Sequence, residues 1–182
     1  MISIEKSLKQ MAWADEKLFN TMLELPDEAW RSKVGEGEWP AYSNLFHLIA
    51  SADWYAYELG QPQRFTQEPE SIDEIRGLGE TWKEINAFLI SEGGREDGEV
   101  TYSEHGKDFT VMRSTVLSQA IIHAVEHRIH IAIALKQGGF AFPDLEDFSV
   151  WGYIHSGQKS SDSALALIPQ GVYPQGYMTN GG

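Results

Sequence analysis

Apolar side chains recur every three or four positions along most of this chain, with polar residues between them. This spacing places the apolar residues on one face of an amphipathic helix. Four segments with this pattern are long enough to be major helices, and they span about residues 3–25, 40–59, 71–91 and 114–137. Ser3 can cap the first of these helices and Pro26 follows its end, while Ser71 and Glu74 form a capping box for the third.

The segments between and after these helices predict smaller elements. The run EVTYSEHGKDFTVMR is typical of two short strands joined at His105 and Gly106, which predicts a hairpin before the last long helix. A further short element is expected from Pro143 to Tyr153. The pattern therefore indicates an all-α fold, a four-helix bundle with a small β-hairpin before the last long helix.

The domain organisation follows from the same pattern. We expect one domain over residues 1–155, because 182 residues suit a single core and no internal repeat is evident. Residues 156–182 are rich in Ser, Gly and Pro, and they predict an irregular tail packed on the bundle or on a partner subunit.

Composition and charge exclude several classes of function. The formal net charge is −13 and the Lys and Arg residues are scattered singly, so nucleic acid and anionic membranes are poor partners. The chain has no cysteine, which excludes disulfides, thiolate metal ligands and a cysteine nucleophile. No apolar run approaches the roughly 20 residues that span a bilayer, and the first residues do not resemble a signal peptide. We therefore expect a cytoplasmic protein.

The fourth predicted helix carries a second apolar stripe, formed by Ile122, Val125, Ile129 and Ile133. A helix that is apolar on two sides is expected to be buried on both. Either the hairpin and the tail cover this stripe, or it packs against a second subunit. Because two-fold dimers are the commonest oligomers, the stripe predicts a homodimer.

Two of the six histidines indicate a metal site. His123 and His127 are four residues apart, so they are neighbours on the main apolar face of the fourth helix. Neutral imidazoles bind zinc, copper, iron or nickel. The alternative is that each is a core histidine bonded to a carbonyl or carboxylate, and the spacing leaves both interpretations open. His130 also lies at helical spacing, but nearer the edge of the apolar face.

A third ligand has to come from another helix, because zinc sites use three or four protein ligands. His47 lies near the middle of the second predicted helix. However, it stands almost opposite the main apolar stripe of that helix, beside Ser43, Ala50 and Trp54. Periodicity alone therefore does not select it.

Several longer runs, between residues 5 and 153, resemble the DinB-like family of small metal-binding helical bundles, whose relatives include YfiT-like proteins and thiol-dependent transferases. The similar segments are MAWADEKLFNTMLELPDEAW, NLFHLIASADWYAYEL, IIHAVEHRIHIAIALKQGGF and PDLEDFSVWGY. The resemblance implies that the metal ligands are His47, His123 and His127. This chain differs from the family at His130, where many relatives have glutamine.

A site of three neutral histidines leaves at least one coordination position open, as catalytic zinc sites do. A metal there lowers the pKa of a bound water or deprotonates a thiol. We therefore expect a metal-dependent enzyme, either a thiol S-transferase or a hydrolase of a small electrophile. Its partners would be a small-molecule substrate and, for the transferase, a low-molecular-weight thiol. Zinc or nickel is the favoured ion, with iron as a third candidate.

Two other functions remain open from the sequence. One is a non-enzymatic metal-binding stress-response scaffold, and the other is a protein whose histidines are structural. No catalytic residue is assigned, since pattern alone places none of Asp53, Glu58 and Glu126 at the site. Arg128 is expected to pair with an acidic neighbour. Trp54 and Tyr57 can line a pocket or belong to the core.

Overall fold

The computed structural model describes residues 3–142 and 144–157. Over these residues the chain is mainly helical, with one small antiparallel sheet of two strands, as the hydrophobic pattern predicts. The elements are α1 (Ile4–Leu23), α2 (Asp27–Trp30), α3 (Ala41–Glu58), α4 (Ile72–Arg76), α5 (Gly79–Gly93), β1 (Glu99–Glu104), β2 (Lys107–Met112), α6 (Arg113–Gln137), a 3-10 helix (Leu145–Phe148) and α7 (Val150–His155).

The four long helices enclose one hydrophobic core. Helix α3 packs against α5 and α6, and α1 packs against the same two helices. Each of the four contributes fully buried side chains, for example Leu8, Leu45, Ile85 and Leu117. Burying such side chains contributes roughly 1.5–3 kcal/mol each, which is what holds α3 and α6 at the fixed distance the site needs.

The prediction of one continuous third helix over residues 71–91 is wrong. The chain forms two helices, α4 and α5, with a turn at Gly77 and Leu78 between them. Close packing explains the glycine at the start of α5, because a Cβ at Gly79 would lie only 2.7 Å from a ring carbon of Phe19 on α1. The capping prediction holds, since the Ser71 side chain accepts a hydrogen bond from the Glu74 amide at 3.3 Å. The short helix α2 lies between the first two predicted spans and was not predicted.

The predicted hairpin is present. Strand β1 pairs with β2 from Glu99 opposite Met112 to Glu104 opposite Lys107. His105 and Gly106 form the turn with φ of 49° and 74°, which are the positive values that a tight two-residue hairpin turn requires. The Tyr57 hydroxyl donates to the Ser103 carbonyl at 3.0 Å and so ties the hairpin to α3.

The second apolar stripe of α6 remains exposed. Its side chains keep between 36% and 55% of their surface accessible, and neither the hairpin nor any other described element covers them. Most of the predicted tail, residues 158–182, lies outside the described residues, as does Pro143. No described helix combines the length and the hydropathy that crossing a bilayer demands.

Candidate metal centre

Helices α3 and α6 bring His47, His123 and His127 together. One ring nitrogen from each histidine lies within 4.8 Å of the other two, and the ring centroids are 4.4 to 5.1 Å apart. His123 and His127 come from successive turns of α6, and His47 faces them from α3. His127 is buried, and the other two imidazoles are partly buried.

The spacing of the ring nitrogens fits a bound transition-metal ion. The Nε2 atoms of His47 and His123 are 3.3 Å apart. Two imidazole nitrogens that bind one tetrahedral zinc ion at about 2.0–2.1 Å are separated by roughly 3.4 Å. A single N–H···N hydrogen bond has a similar length, but it does not require the third imidazole of His127, whose ring centroid lies 4.6 Å from that of His47.

Asn44 fixes the orientation of His127. Its side-chain amide nitrogen donates to the carbonyls of Trp39 and Pro40, at 3.1 and 3.3 Å. Carbonyls can only accept, so the amide oxygen of Asn44 must face His127, whose Nδ1 lies 3.1 Å away. Nδ1 therefore carries the proton, and Nε2 keeps the lone pair that a metal requires. Such a partner on the second ring nitrogen is usual for histidine ligands of metals.

The environment keeps the three imidazoles neutral near pH 7. Burial lowers the pKa of His47 and of His123 below the ordinary value of 6.5. Burial, helped by the neighbouring histidines, lowers the pKa of His127 to about 4. Neutral imidazole is the form that binds metals, so the protonation state of the three rings is compatible with a metal site.

The arrangement does not match the alternative in which every histidine has its own hydrogen-bond acceptor. His127 has one, the oxygen of Asn44, and the Ser51 hydroxyl lies at a longer 3.4 Å from Nε2 of His47. The Nδ1 atom of His123 is buried and has no hydrogen-bond partner among the described residues. The Nε2 atoms of His47 and His123 face each other instead of a carbonyl or carboxylate. Convergence on a common point is therefore the feature that the three rings share.

The carboxylates considered from the sequence lie in other contacts. Asp53 is buried and accepts hydrogen bonds from the amides of Arg64 and Phe65, at 2.7 and 2.9 Å, so it holds the loop after α3. Glu58 accepts from the Trp54 indole at 2.9 Å, and burial raises the pKa of its carboxyl.

The remaining candidates of α6 differ in their roles. Arg128 is buried and pairs with Asp15 at 2.5 Å, as expected for a structural arginine. Glu126 is exposed. His130 is also exposed, with its ring centroid 5.7 Å from that of His127, so it stands beside the cluster and not within it.

Two cavities open beside the histidines and share Trp39 as a wall. One, of about 280 Å³, is lined by His47 and Glu68. The other, of about 340 Å³, is lined by His127 and His130. A larger cavity of about 530 Å³ lies between α1 and α5, but none of the three histidines lines it. The cluster therefore has space on two sides for small molecules.

Asn44, Trp39 and Glu68 were not identified from the sequence. Asn44 carried the clearest signal, because it stands three residues before His47 in a helix that is otherwise largely apolar. Trp39 and Glu68 lie in connecting segments, where no periodicity relates them to the histidines.

Comparison with known proteins gives one family. The family model described as the DinB family matches residues 1–151, a span that includes all three histidines and Asn44. Among curated proteins, none matches the chain.

Proposed function

Because the chain belongs to the DinB family, we propose that it binds one divalent transition-metal ion through His47, His123 and His127 and acts as a metal-dependent enzyme. The observation that carries this proposal is the convergence of three imidazole nitrogens, from two separate helices, within 4.8 Å of one another. The proposal includes a four-helix bundle of α1, α3, α5 and α6, whose mutual packing supports it. Zinc or nickel is the proposed ion, with iron as a third candidate, because imidazole suits all three.

The proposed reaction class is thiol S-transfer or hydrolysis of a small electrophile. When bound, the ion supplies a Lewis acid that lowers the pKa of a water or a thiol near it. Three protein ligands leave a position open, and the cavities beside His47 and His127 provide room for an organic substrate. Asn44 orients His127, and Trp39 separates the two cavities. These features favour an enzyme over a closed structural site.

A non-enzymatic metal-binding scaffold is the second candidate. It is favoured by one observation, that Asp53 and Glu58 are both engaged in other hydrogen bonds and neither contacts the histidines. A scaffold needs no base, whereas some hydrolytic routes do.

Metal content tests the first part of the proposal. Tag-free protein is loaded with zinc or nickel, desalted and analysed for metal per chain. We expect one ion in the wild type and in His155→Ala, a control on an exposed histidine, and well below half an ion in His47→Ala, His123→Ala or His127→Ala. Full occupancy in all three variants would show that these imidazoles are not the ligands.

Activity tests the second part. Metal-loaded protein is screened with a panel of low-molecular-weight thiols and a chromogenic electrophile, and separately with activated esters. We expect turnover that His127→Ala removes and that a chelator suppresses. Metal binding without any turnover would favour the scaffold.

The proposal extends to a homodimer that buries the exposed stripe of α6. Light scattering after gel filtration should give twice the 20.5 kDa mass of one chain. Ile129→Lys places a charge in the stripe and should give the single-chain mass, since an unpaired charge is costly to bury. A wild-type protein of 20.5 kDa would exclude the dimer.

A further inference from the structure

The cavity beside His47 has an unusual lining. Three aromatic side chains, Trp39, Tyr42 and Phe46, form part of its wall, and Glu68 is its one charged residue among those described. No lysine or arginine of the described chain lines it. The cavity is about 280 Å³, which is room for a compact molecule of a few heavy atoms.

The loop that carries Glu68 is held in place. This loop joins α3 to α4, and the buried Asp53 accepts two of its backbone amides, those of Arg64 and Phe65. The Phe65 ring also packs edge-on against Phe46, with centroids 6.0 Å apart. Glu68 is exposed and lies three residues beyond Phe65 on this anchored loop. Its negative charge acts on the His47 ring, where it opposes the lowering of the pKa by burial.

This lining discriminates between charges. Aromatic faces attract ammonium groups, and a carboxylate attracts them further. In the metal-free protein the same carboxylate repels an anionic group, because no Lys or Arg of the described lining compensates for it. A divalent ion on His47 would oppose this repulsion, so the discrimination by Glu68 applies to the end of the cavity away from the metal centre. The net charge of −13 of the whole chain also attracts cations from solution, although more weakly than the cavity does.

We propose that the cavity formed by Trp39, Tyr42, Phe46 and Glu68 binds a substrate that carries a protonated amine on a small apolar body. Glu68 and the aromatic faces hold the ammonium group, and the rest of the molecule lies against His47, at the edge of the metal centre. This inference rests on the proposed function, because it assigns the substrate class of that site. For thiol transfer it selects an aminothiol over a mercapto acid.

The first experiment uses the metal-free protein and does not depend on metal binding. Butylammonium, butan-1-ol and butanoate are titrated at low salt, and the Trp39 indole N–H is followed by NMR. We expect butylammonium to bind about tenfold more tightly than butanoate, and Glu68→Gln to reduce this ratio to about twofold or less. Glu70→Gln, on the same loop but outside the cavity lining, should keep the wild-type ratio. Equal binding of the three probes, or a preference that Glu68→Gln leaves unchanged, would overturn the inference.

The second experiment separates this inference from the proposed function. Protein loaded with cobalt(II) is titrated with 2-aminoethanethiol and with 3-mercaptopropionate, and the visible spectrum is recorded. Tighter binding of the aminothiol than of the mercapto acid, lost in Glu68→Gln, supports both the metal site and the substrate class. If the spectral titrations give equal affinities for the two thiols, the substrate class is wrong and the metal site is still supported. Failure of the protein to bind cobalt, with the ammonium preference intact, overturns the metal site and supports the cavity assignment.

Discussion

Replacing Asn44 tests whether the cluster is built to bind a metal. In Asn44→Ala the three histidines remain, but His127 loses the acceptor for its Nδ1 proton. The ring is then free to rotate or to place its proton on Nε2, which is the nitrogen that the metal needs. Asn44 is 5% exposed but lines the cavity of about 340 Å³ beside His127, so water from that cavity is the available replacement for the lost oxygen, and it would not be held in place as the Asn44 amide is.

The expected magnitude follows from that single contact. Removing a hydrogen-bond partner of a metal-bound histidine weakens metal affinity by about 10- to 100-fold, or roughly 1.4–2.7 kcal/mol. The variant also loses two bonds from the Asn44 amide to the carbonyls of Trp39 and Pro40, so the free energy of unfolding should fall by about 1–3 kcal/mol.

A second variant separates these two effects. Asn44→Asp keeps an oxygen that accepts from His127 but cannot donate to the two carbonyls. It should lose folding stability as Asn44→Ala does, while its zinc affinity remains within a few-fold of the wild type. Asn20→Ala, at an exposed asparagine of α1, is the matched control and should change neither quantity.

Zinc affinity is measured by competition with a chromophoric chelator at pH 7.5, and stability by urea denaturation of the metal-free proteins. Zinc binding by folded Asn44→Ala within twofold of the wild type would show that the Asn44 contact has no role in preparing His127.

Three further predictions concern stability. Because burial lowers the pKa of His127 from 6.5 to about 4, the unfolded chain binds a proton that the folded chain does not between these pH values. The free energy of unfolding of the metal-free protein should therefore fall from pH 6.5 to pH 4 by up to about 3 kcal/mol. Urea denaturation at several pH values should show a smaller fall for His127→Gln than for the wild type. An equal dependence of the free energy of unfolding on pH in the two proteins would contradict this. Arg128→Met leaves Asp15 buried without its cation and should cost about 3–5 kcal/mol by urea denaturation, whereas a loss below about 1 kcal/mol would show that the pair is dispensable. Gly93→Ala places a Cβ 2.5 Å from a methyl group of Leu8, so the melting temperature should fall by several degrees although alanine favours helices; an unchanged value would mean that the contact relaxes freely.

Local spacing determined much of the fold. Helices α1, α3 and α6 agree with the predicted spans to within two residues at every end, because amphipathic periodicity and end signals such as Ser3 act within a single segment. The hairpin was also predictable, since the dipeptide His105-Gly106 can adopt the positive φ values of its turn. The proximity of His123 and His127 was predictable from local sequence as well, because residues four apart on one helix are neighbours in any tertiary fold.

The break between α4 and α5 was not predicted from the sequence. Gly77 and Gly79 weaken a helix, but they do not show where it ends. Gly79 also packs against Phe19 on another helix, a contact between residues distant in sequence that the pattern within one segment does not contain.

The complete site was decided by tertiary structure. His47 lies away from the main apolar face of α3, and only the docking of α3 on α6 places its Nε2 atom 3.3 Å from that of His123. Asn44 and Glu68 take their places at the site for the same reason, since each meets groups that are distant in sequence. Periodicity predicts which face of a helix is buried, but it does not predict which neighbouring helix packs on that face. The pair on α6 was therefore determined by local spacing. His47 was indicated in the sequence only by the family resemblance, and the packing of α3 on α6 brings it to that pair.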